Sequence, residues 1–304
     1  MFIELDLAGA EWIVVAYLCR DEKMLEVAKS GKSPHVVTGS LISGVSEELV
    51  EKDEKLTKHL KEPAEIMAVR KSELPEIFTG HYVPRTMSIR QAGKKSNHSA
   101  DYRITAPTFS LTQEIEMNDA KRIIESYTCH SLSHGQPGHS CGNVAYPRIR
   151  DWWDETDHKV KTTRVLTNCF GQKVQFMGQI NHDTFKQAYA FVPQSTVVAI
   201  TNRAMPLILA DESPAFEPLH LVAQVHDSLL IDYLSEDCLA MATAVHRIAF
   251  DYMRPELNYG EPFKLNVTGK VGMSWGSLKE ISIPDNIAEL TEILAKARER
   301  ALAH

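Results

Sequence analysis

Four side chains set four residues apart carry the clearest chemistry in this chain: Arg90, Lys94, His98 and Tyr102. On a helix each step of four turns about 40° past a full revolution, so the set shares one broad face along about 18 Å. Two cations one turn apart suit a triphosphate, the guanidinium gripping oxygens as a fork and the ammonium acting as a point charge. The imidazole and phenol beyond them can pack on a sugar and a base. On spacing alone the plain alternative is a basic amphipathic helix facing water. Carboxylates supply the second half of the chemistry. Asp6 closes the alternating run Phe2–Leu7, and Asp227 follows His226 between the apolar stretch Leu219, Leu221, Val222, Ala223, Val225 and the stretch Leu229, Leu230, Ile231. That pattern predicts a tight β-hairpin with the polar pair at its turn. A carboxylate held there is rigid and partly desolvated, which is how a protein presents a ligand to a hard cation such as Mg²⁺. An ordinary polar turn is the alternative.

These residues need elements to hold them. Residues 2–7 are expected as a strand with Ile3, Leu5 and Leu7 on one face and Phe2, Glu4 and Asp6 on the other. A turn at Ala8-Gly9 and a helix from Glu11 follow. A charge-rich helix is expected over 46–62, capped by Ser46 and ended by Pro63, with its alternating charges forming a solvated face. The phosphate-reading helix should span 86–102. Next come a loop over 129–143, a helix over 151–163 and a hairpin over 164–176 around Gly171. A long helix over 194–209, a helix over 236–252 and a strand over 263–271 lead to an amphipathic helix from Asp285. The residues between Leu41 and Met87 carry no assigned role, and there is no internal repeat.

Composition bounds the class. The 304 residues, 43% hydrophobic and 24% charged, are ordinary for a globular protein, and no window approaches the roughly 20 apolar residues of a membrane span. The N-terminal residues lack the features of a signal peptide, and five cysteines form no regular framework, so a reducing, cytoplasmic setting is expected. A net charge of -7 argues against a general coating of nucleic acid. It leaves room for a local basic face, and Arg85, Arg90, Lys94, Lys95 and Arg103 supply one against Asp101 alone.

Taken together, the motifs resemble the family A DNA polymerases. Arg90-x3-Lys94-x3-His98-x3-Tyr102 is similar to that family's fingers helix, Asp6-Leu-Ala-Gly-Ala-Glu11 to its first palm motif and Gln224-Val-His226-Asp227 to its last. Tyr146-Pro147-Arg148-Ile149, Arg164-x-Leu166-x4-Gly171, Val192-Pro193-Gln194-Ser195-Thr196 and Val267-x4-Gly272-x2-Trp275-Gly276 resemble further segments in the same order, covering residues 1 to about 280. The resemblance implies an α+β fold, an antiparallel palm sheet with helices plus a mostly helical fingers subdomain. It places palm at 1–20, fingers with insertions at 21–163, palm again at 164–280 and a helical extension at 281–304. It implies template-directed DNA synthesis in DNA replication, with two Mg²⁺ ions on Asp6 and Asp227. Arg90, Lys94, His98 and His35 would hold the incoming dNTP, with Lys94 as proton donor to pyrophosphate. Tyr102 would stack near the templating base, and Glu11 would pair with it and exclude a ribose 2′-hydroxyl. Gln194, His226 and Lys186 fall at positions that touch primer–template DNA.

Several residues depart from the family pattern. Ser228 stands where many members have a second acid, Arg103 where glycine is usual, Gln172 where arginine is frequent, and Lys186 and Ala190 where arginine and asparagine contact DNA. Only five residues precede Asp6. The thumb and exonuclease domains that the family places upstream are therefore expected to be absent. The expectation is the C-terminal part of a split or truncated, phage-like polymerase, completed by a separate polypeptide.

Two other readings remain open: an inactive DNA-binding remnant, and a metal-dependent phosphohydrolase built on His226-Asp227. Finally, Cys129, His130, His134, His139 and Cys141 crowd one loop that looks inserted relative to the family. Cys and His suit tetrahedral Zn²⁺, although the spacing matches no familiar finger and a solvated polar loop is the alternative.

Overall fold

Alternation in the first residues produces the strand it predicts: Ile3, Leu5 and Leu7 are buried, while Phe2, Glu4 and Asp6 are half-buried on the opposite face. The computed structural model describes residues 1–131, 134, 136 and 140–302. In order, its first elements are β1 (Phe2–Leu7), α1 (Ala10–Cys19), α2 (Glu22–Ser30), α3 (Pro34–Ser43), α4 (Glu47–Thr57) and α5 (Pro63–Glu73). There follow α6 (Ile89–Ala100), α7 (Ala106–Gln113), α8 (Met117–Tyr127), α9 (Ile149–Thr163), β2 (Val165–Thr167), β3 (Lys173–Gln175) and α10 (His182–Leu209). The chain closes with β4 (Leu219–Val225), β5 (Ser228–Tyr233), α11 (Cys238–Arg247), β6 (Leu257–Asn258), β7 (Pro262–Phe263), β8 (Val267–Gly272), β9 (Lys279–Ile281) and α12 (Ile287–Leu302). Among the described residues no helix is long and apolar enough to cross a membrane.

The chain divides into two compact units. One comprises Met1–Glu11, Thr167–Gln172 and Pro193–His304 and carries an antiparallel sheet in the order β4-β5-β1-β8-β9. Its central strand β1 pairs with β5 on one side and β8 on the other. Leu229, Leu230 and Ile231 of β5 join Ile3, Leu5 and Leu7 in the core, as do Met241 and Val245 of α11 and Leu290 and Leu294 of α12. Burying each such side chain is worth about 1.5–3 kcal/mol, which is what holds β1 in place. The other unit, Trp12–Leu166 and Lys173–Val192, is helical, with α3 packed on α6 at its centre. An antiparallel sheet packed with helices in one unit and a mainly helical second unit make the α+β class expected.

Some expectations change in detail. Pro63 does not simply end the charged helix; α4 stops at Thr57, and Pro63 starts α5 at a position where its missing N–H costs nothing. Nor is α4 merely a solvated face, since Asp53 is fully buried. Helix α6 is shorter than the expected 86–102, because Ser88 caps it by accepting the Gln91 amide. Helix α10 begins at His182, not near Gln194, and runs through Pro193 and Pro206. An interior proline costs about 3 kcal/mol. Burial of Tyr189, Val192, Val197 and Ile200 along this helix offsets it. The expected strand over 263–271 breaks into β7 and β8, because the carbonyls of Leu265 and Asn266 accept from Arg254 Nε and the Ala8 amide instead. The outer hairpin strand β4 is less buried than its apolar content suggests: it is an edge, bulged between Leu221 and Ala223, with Val222 exposed.

Candidate active site

Antiparallel pairing brings the first carboxylates together. Asp6 of β1 and Ser228, the first residue of β5, are register partners, so the β4–β5 turn lies at the same sheet end as Asp6. Direct partners have Cβ atoms about 4.5–5.5 Å apart, and Asp227 is one residue beyond. The Asp6 and Asp227 carboxyls are near enough for the charge of one to act on the other. Burial first, then the charge of Asp227, pushes the Asp6 carboxyl up to about 6, while Lys270 pulls it down. Lys270 in turn is ion-paired with Glu4, which also accepts from Trp275 Nε1 at 3.2 Å. Two hard oxygen donors on rigid backbone are a donor set that fits a divalent cation. His226 occupies the turn at φ 54°, a left-handed conformation that costs a residue with a Cβ roughly 1–2 kcal/mol. Its imidazole is exposed.

A folded-state value of about 6 for Asp6, against an ordinary 3.8, has a defined consequence. The folded protein holds an extra proton on Asp6 between these values, so the stability that this group contributes is fully present below about pH 4 and is lost as pH rises through 6. After allowance for solvent screening the loss is on the order of 1–2 kcal/mol. Thermal unfolding in chelator should show this decline, Asp6→Asn should flatten it, and added Mg²⁺ should stabilise more at pH 7.5 than at pH 5. A Mg²⁺ effect independent of pH and of Asp6 would contradict the assignment.

In the helical unit a cationic cluster forms on α6. Lys94 and His98 are exposed and Arg90 is half-buried. His35, at the start of α3, joins them: its ring lies 5.8 Å from that of His98. Burial, then the neighbouring charges of His98, Arg90 and Lys94, drive its pKa down to about 3. It is therefore a neutral imidazole at physiological pH. Its Nδ1 takes the hydrogen bond from Asn97 Nδ2 at 3.2 Å, which leaves Nε2–H as a donor. Two glycines make this proximity feasible. A Cβ on Gly93 would sit 2.3 Å from the His35 carbonyl oxygen, and one on Gly39 would sit 2.8 Å from that of Ile89.

A buried ion pair fixes where α6 begins. Asp53 of α4 accepts from Arg70 Nε at 2.7 Å and Nη2 at 2.8 Å, and its second oxygen also takes the Ile89 amide at 2.8 Å. Arg70, fully buried, donates onward to the carbonyls of Pro84 and Met87. Beside it Glu54 accepts from Ser88 Oγ and pairs with Arg90 at 3.4 Å. The unassigned stretch between Leu41 and Met87 thus supplies the clamp on the start of α6. Sequence reading missed Asp53, Glu54 and Arg70, because their charges looked like part of a solvated helix.

The remaining expected residues are placed separately. Gln194 is exposed on α10 in the sheet unit, and Lys186 is half-buried within the helical unit's share of α10, 3.9 Å from Asp183. Glu11 belongs to the sheet unit and Tyr102 to the helical unit.

Comparison with known proteins decides the family. A family model described as DNA polymerase family A matches residues 49–277, well over half of the chain. The chain belongs to DNA polymerase family A. It is similar to the thermostable DNA polymerase I of Thermus aquaticus (21% identical, 92% of this chain and 27% of that protein) and of Thermus filiformis (22%, with the same coverage). It spans about a quarter of the length of these curated relatives. The POL domain of Pol1 from M. smegmatis, solved in complex with DNA primer-template and dNTP, shares the fold at TM-score 0.60 and 15% identity, over 91% of this chain and 40% of that one.

Two departures from the family A pattern now have a physical account. Ser228 is buried and donates to the Val225 carbonyl at 2.9 Å, so its hydroxyl closes the hairpin turn. Arg103 adopts φ 56°, a conformation that favours the glycine expected there. Its side chain compensates by donating to Tyr189 Oη at 2.9 Å, pairing with Asp157 and lying over the Trp153 ring.

Proposed function

We propose that this chain carries out nucleotidyl transfer in template-directed DNA synthesis, joining a dNTP to a primer 3′-hydroxyl with release of pyrophosphate. The observation that carries this reading is the convergence of Asp6 and Asp227 at one end of the antiparallel sheet. These two carboxylates would hold two Mg²⁺ ions, which when bound supply an activated 3′-hydroxyl and neutralise charge on the leaving pyrophosphate. Residues 1–20 and 164–280 act as palm, 21–163 as fingers and 281–304 as an extension. In the fingers Arg90 forks the phosphate oxygens and Lys94 adds a point charge and a proton for pyrophosphate. His35, neutral, contributes a hydrogen bond without a charge. His98 contacts the deoxynucleotide, Tyr102 stacks near the templating base, and Glu11 excludes the 2′-hydroxyl. Gln194, Lys186 and His226 meet the DNA, and the strained turn supports a positional role for His226.

The strand–turn–strand setting of His226-Asp227 speaks against a phosphohydrolase, which draws such a pair from helices. Primer extension tests the proposal. With primer–template, dNTPs and Mg²⁺, the chain should extend the primer with stoichiometric pyrophosphate. Release of nucleoside monophosphate, or no Mg²⁺-dependent incorporation, would overturn it.

A further inference from the structure

Outside the proposed polymerase residues, one cluster of ligand-type side chains is assembled in the helical unit. The base of its loop is zipped shut: the Ala145 amide donates to the Ser126 carbonyl, the Tyr146 amide to that of Tyr127, and Thr128 Oγ1 to that of Tyr146 at 2.7 Å. Above this base the ligand atoms of Cys129, His134 and Cys141 all lie within 4.8 Å of one another. His134 Nδ1 is 3.2 Å from Cys141 Sγ. In a tetrahedral zinc centre, sulfur–sulfur and sulfur–nitrogen edges are about 3.8 and 3.5 Å, so adjustments of about 1.3 Å or less would close the set around an ion.

The other imidazole nitrogen has the partner a metal-bound histidine normally has. His134 Nε2 is 2.7 Å from Asp151 Oδ1, in the first turn of α9. Such a carboxylate fixes the ring's orientation and raises its basicity toward the metal. Two thiols and an imidazole are soft to borderline donors, which select zinc over magnesium or calcium. Of the other candidates in the loop, His130 does not belong to the set; its ring lies 5.7 Å from that of Trp153. His139 lies outside the described residues.

We propose that Cys129, His134 and Cys141 bind a zinc ion that pins the loop to the start of α9. The role is structural and independent of the polymerase reading. The residues it steadies are those that hold the end of α6: Tyr127 donates to Asp101 at 2.7 Å and Trp153 Nε1 donates to the Asp101 carbonyl at 2.7 Å.

The test uses the whole chain, purified without chelator under reducing conditions and dialysed against zinc. Elemental analysis should find stoichiometric zinc. Cobalt(II) exchanged into the site should give thiolate charge-transfer absorption and the intense bands of a tetrahedral centre. Cys129 is buried, so its replacement risks the fold. Cys141→Ser and His134→Ala are the informative variants: each should lower zinc affinity roughly tenfold or more while circular dichroism stays native. A wild-type chain that takes up no zinc, variants that keep full zinc affinity, or a Cys129–Cys141 disulfide persisting under these conditions would each overturn the proposal.

Discussion

Asp227→Asn is expected to lower single-turnover nucleotide incorporation by about three orders of magnitude, equivalent to roughly 4 kcal/mol of transition-state stabilisation. The substitution keeps the side chain's volume and removes its charge. The β4–β5 turn should survive, since it is closed by the Ser228 hydroxyl and the Val225–Ser228 pairing and not by the carboxylate. Loss of that charge also frees Asp6 to ionise more easily, because Asp227 is the neighbouring charge that most raises it. The variant should therefore be at least as stable as the parent at neutral pH while being almost inactive. Quench-flow extension beside thermal unfolding separates the two quantities. Primer extension by Asp227→Asn at the parental rate would refute the metal assignment.

Asp53→Ala should be the most destabilising single substitution outside the apolar core. It leaves the guanidinium of Arg70, which is 0% exposed, without its bidentate partner, and such a loss costs about 3–5 kcal/mol. It also strips the Ile89 amide of its acceptor at the start of α6. The melting midpoint of the helical unit should fall on the order of 10 °C, and amide exchange in α6 should accelerate. Removing both charges with apolar residues of similar volume should recover much of the loss. A change of less than about 0.5 kcal/mol in Asp53→Ala would show that the pair does not organise the helix.

What could be read from the residues alone followed from local period. The alternation of β1, the polar pair between apolar runs, the spacing of Arg90, Lys94 and His98 on α6 and the apolar repeat of α12 each depend on neighbours in sequence, and each stands. Tyr102, expected on the same helix face, falls in the turn beyond Ala100, where α6 ends. The misreadings share a different cause. Asp53 and Arg70 are 17 residues apart on separate helices, and nothing local distinguishes a carboxylate destined for a buried pair from one facing water. Pro193 reads as a boundary by propensity, yet α10 continues through it because packing outweighs the lost hydrogen bond. The metal-type loop was half legible: residue types pointed to zinc, but only folding separates Cys129, His134 and Cys141 from His130.

The absence of side chains at Gly39 and Gly93 lets two backbones touch where almost any other residue would force them apart. A seam that tight does not slide. Helices α3 and α6 must travel as a single rigid block, carrying the neutral imidazole of His35 and the cations of Arg90 and Lys94 in fixed proportion. Any motion of this block is then obliged to bend elsewhere, and the arrangement of His35, Arg90 and Lys94 that the proposed function assigns to the phosphates is already formed.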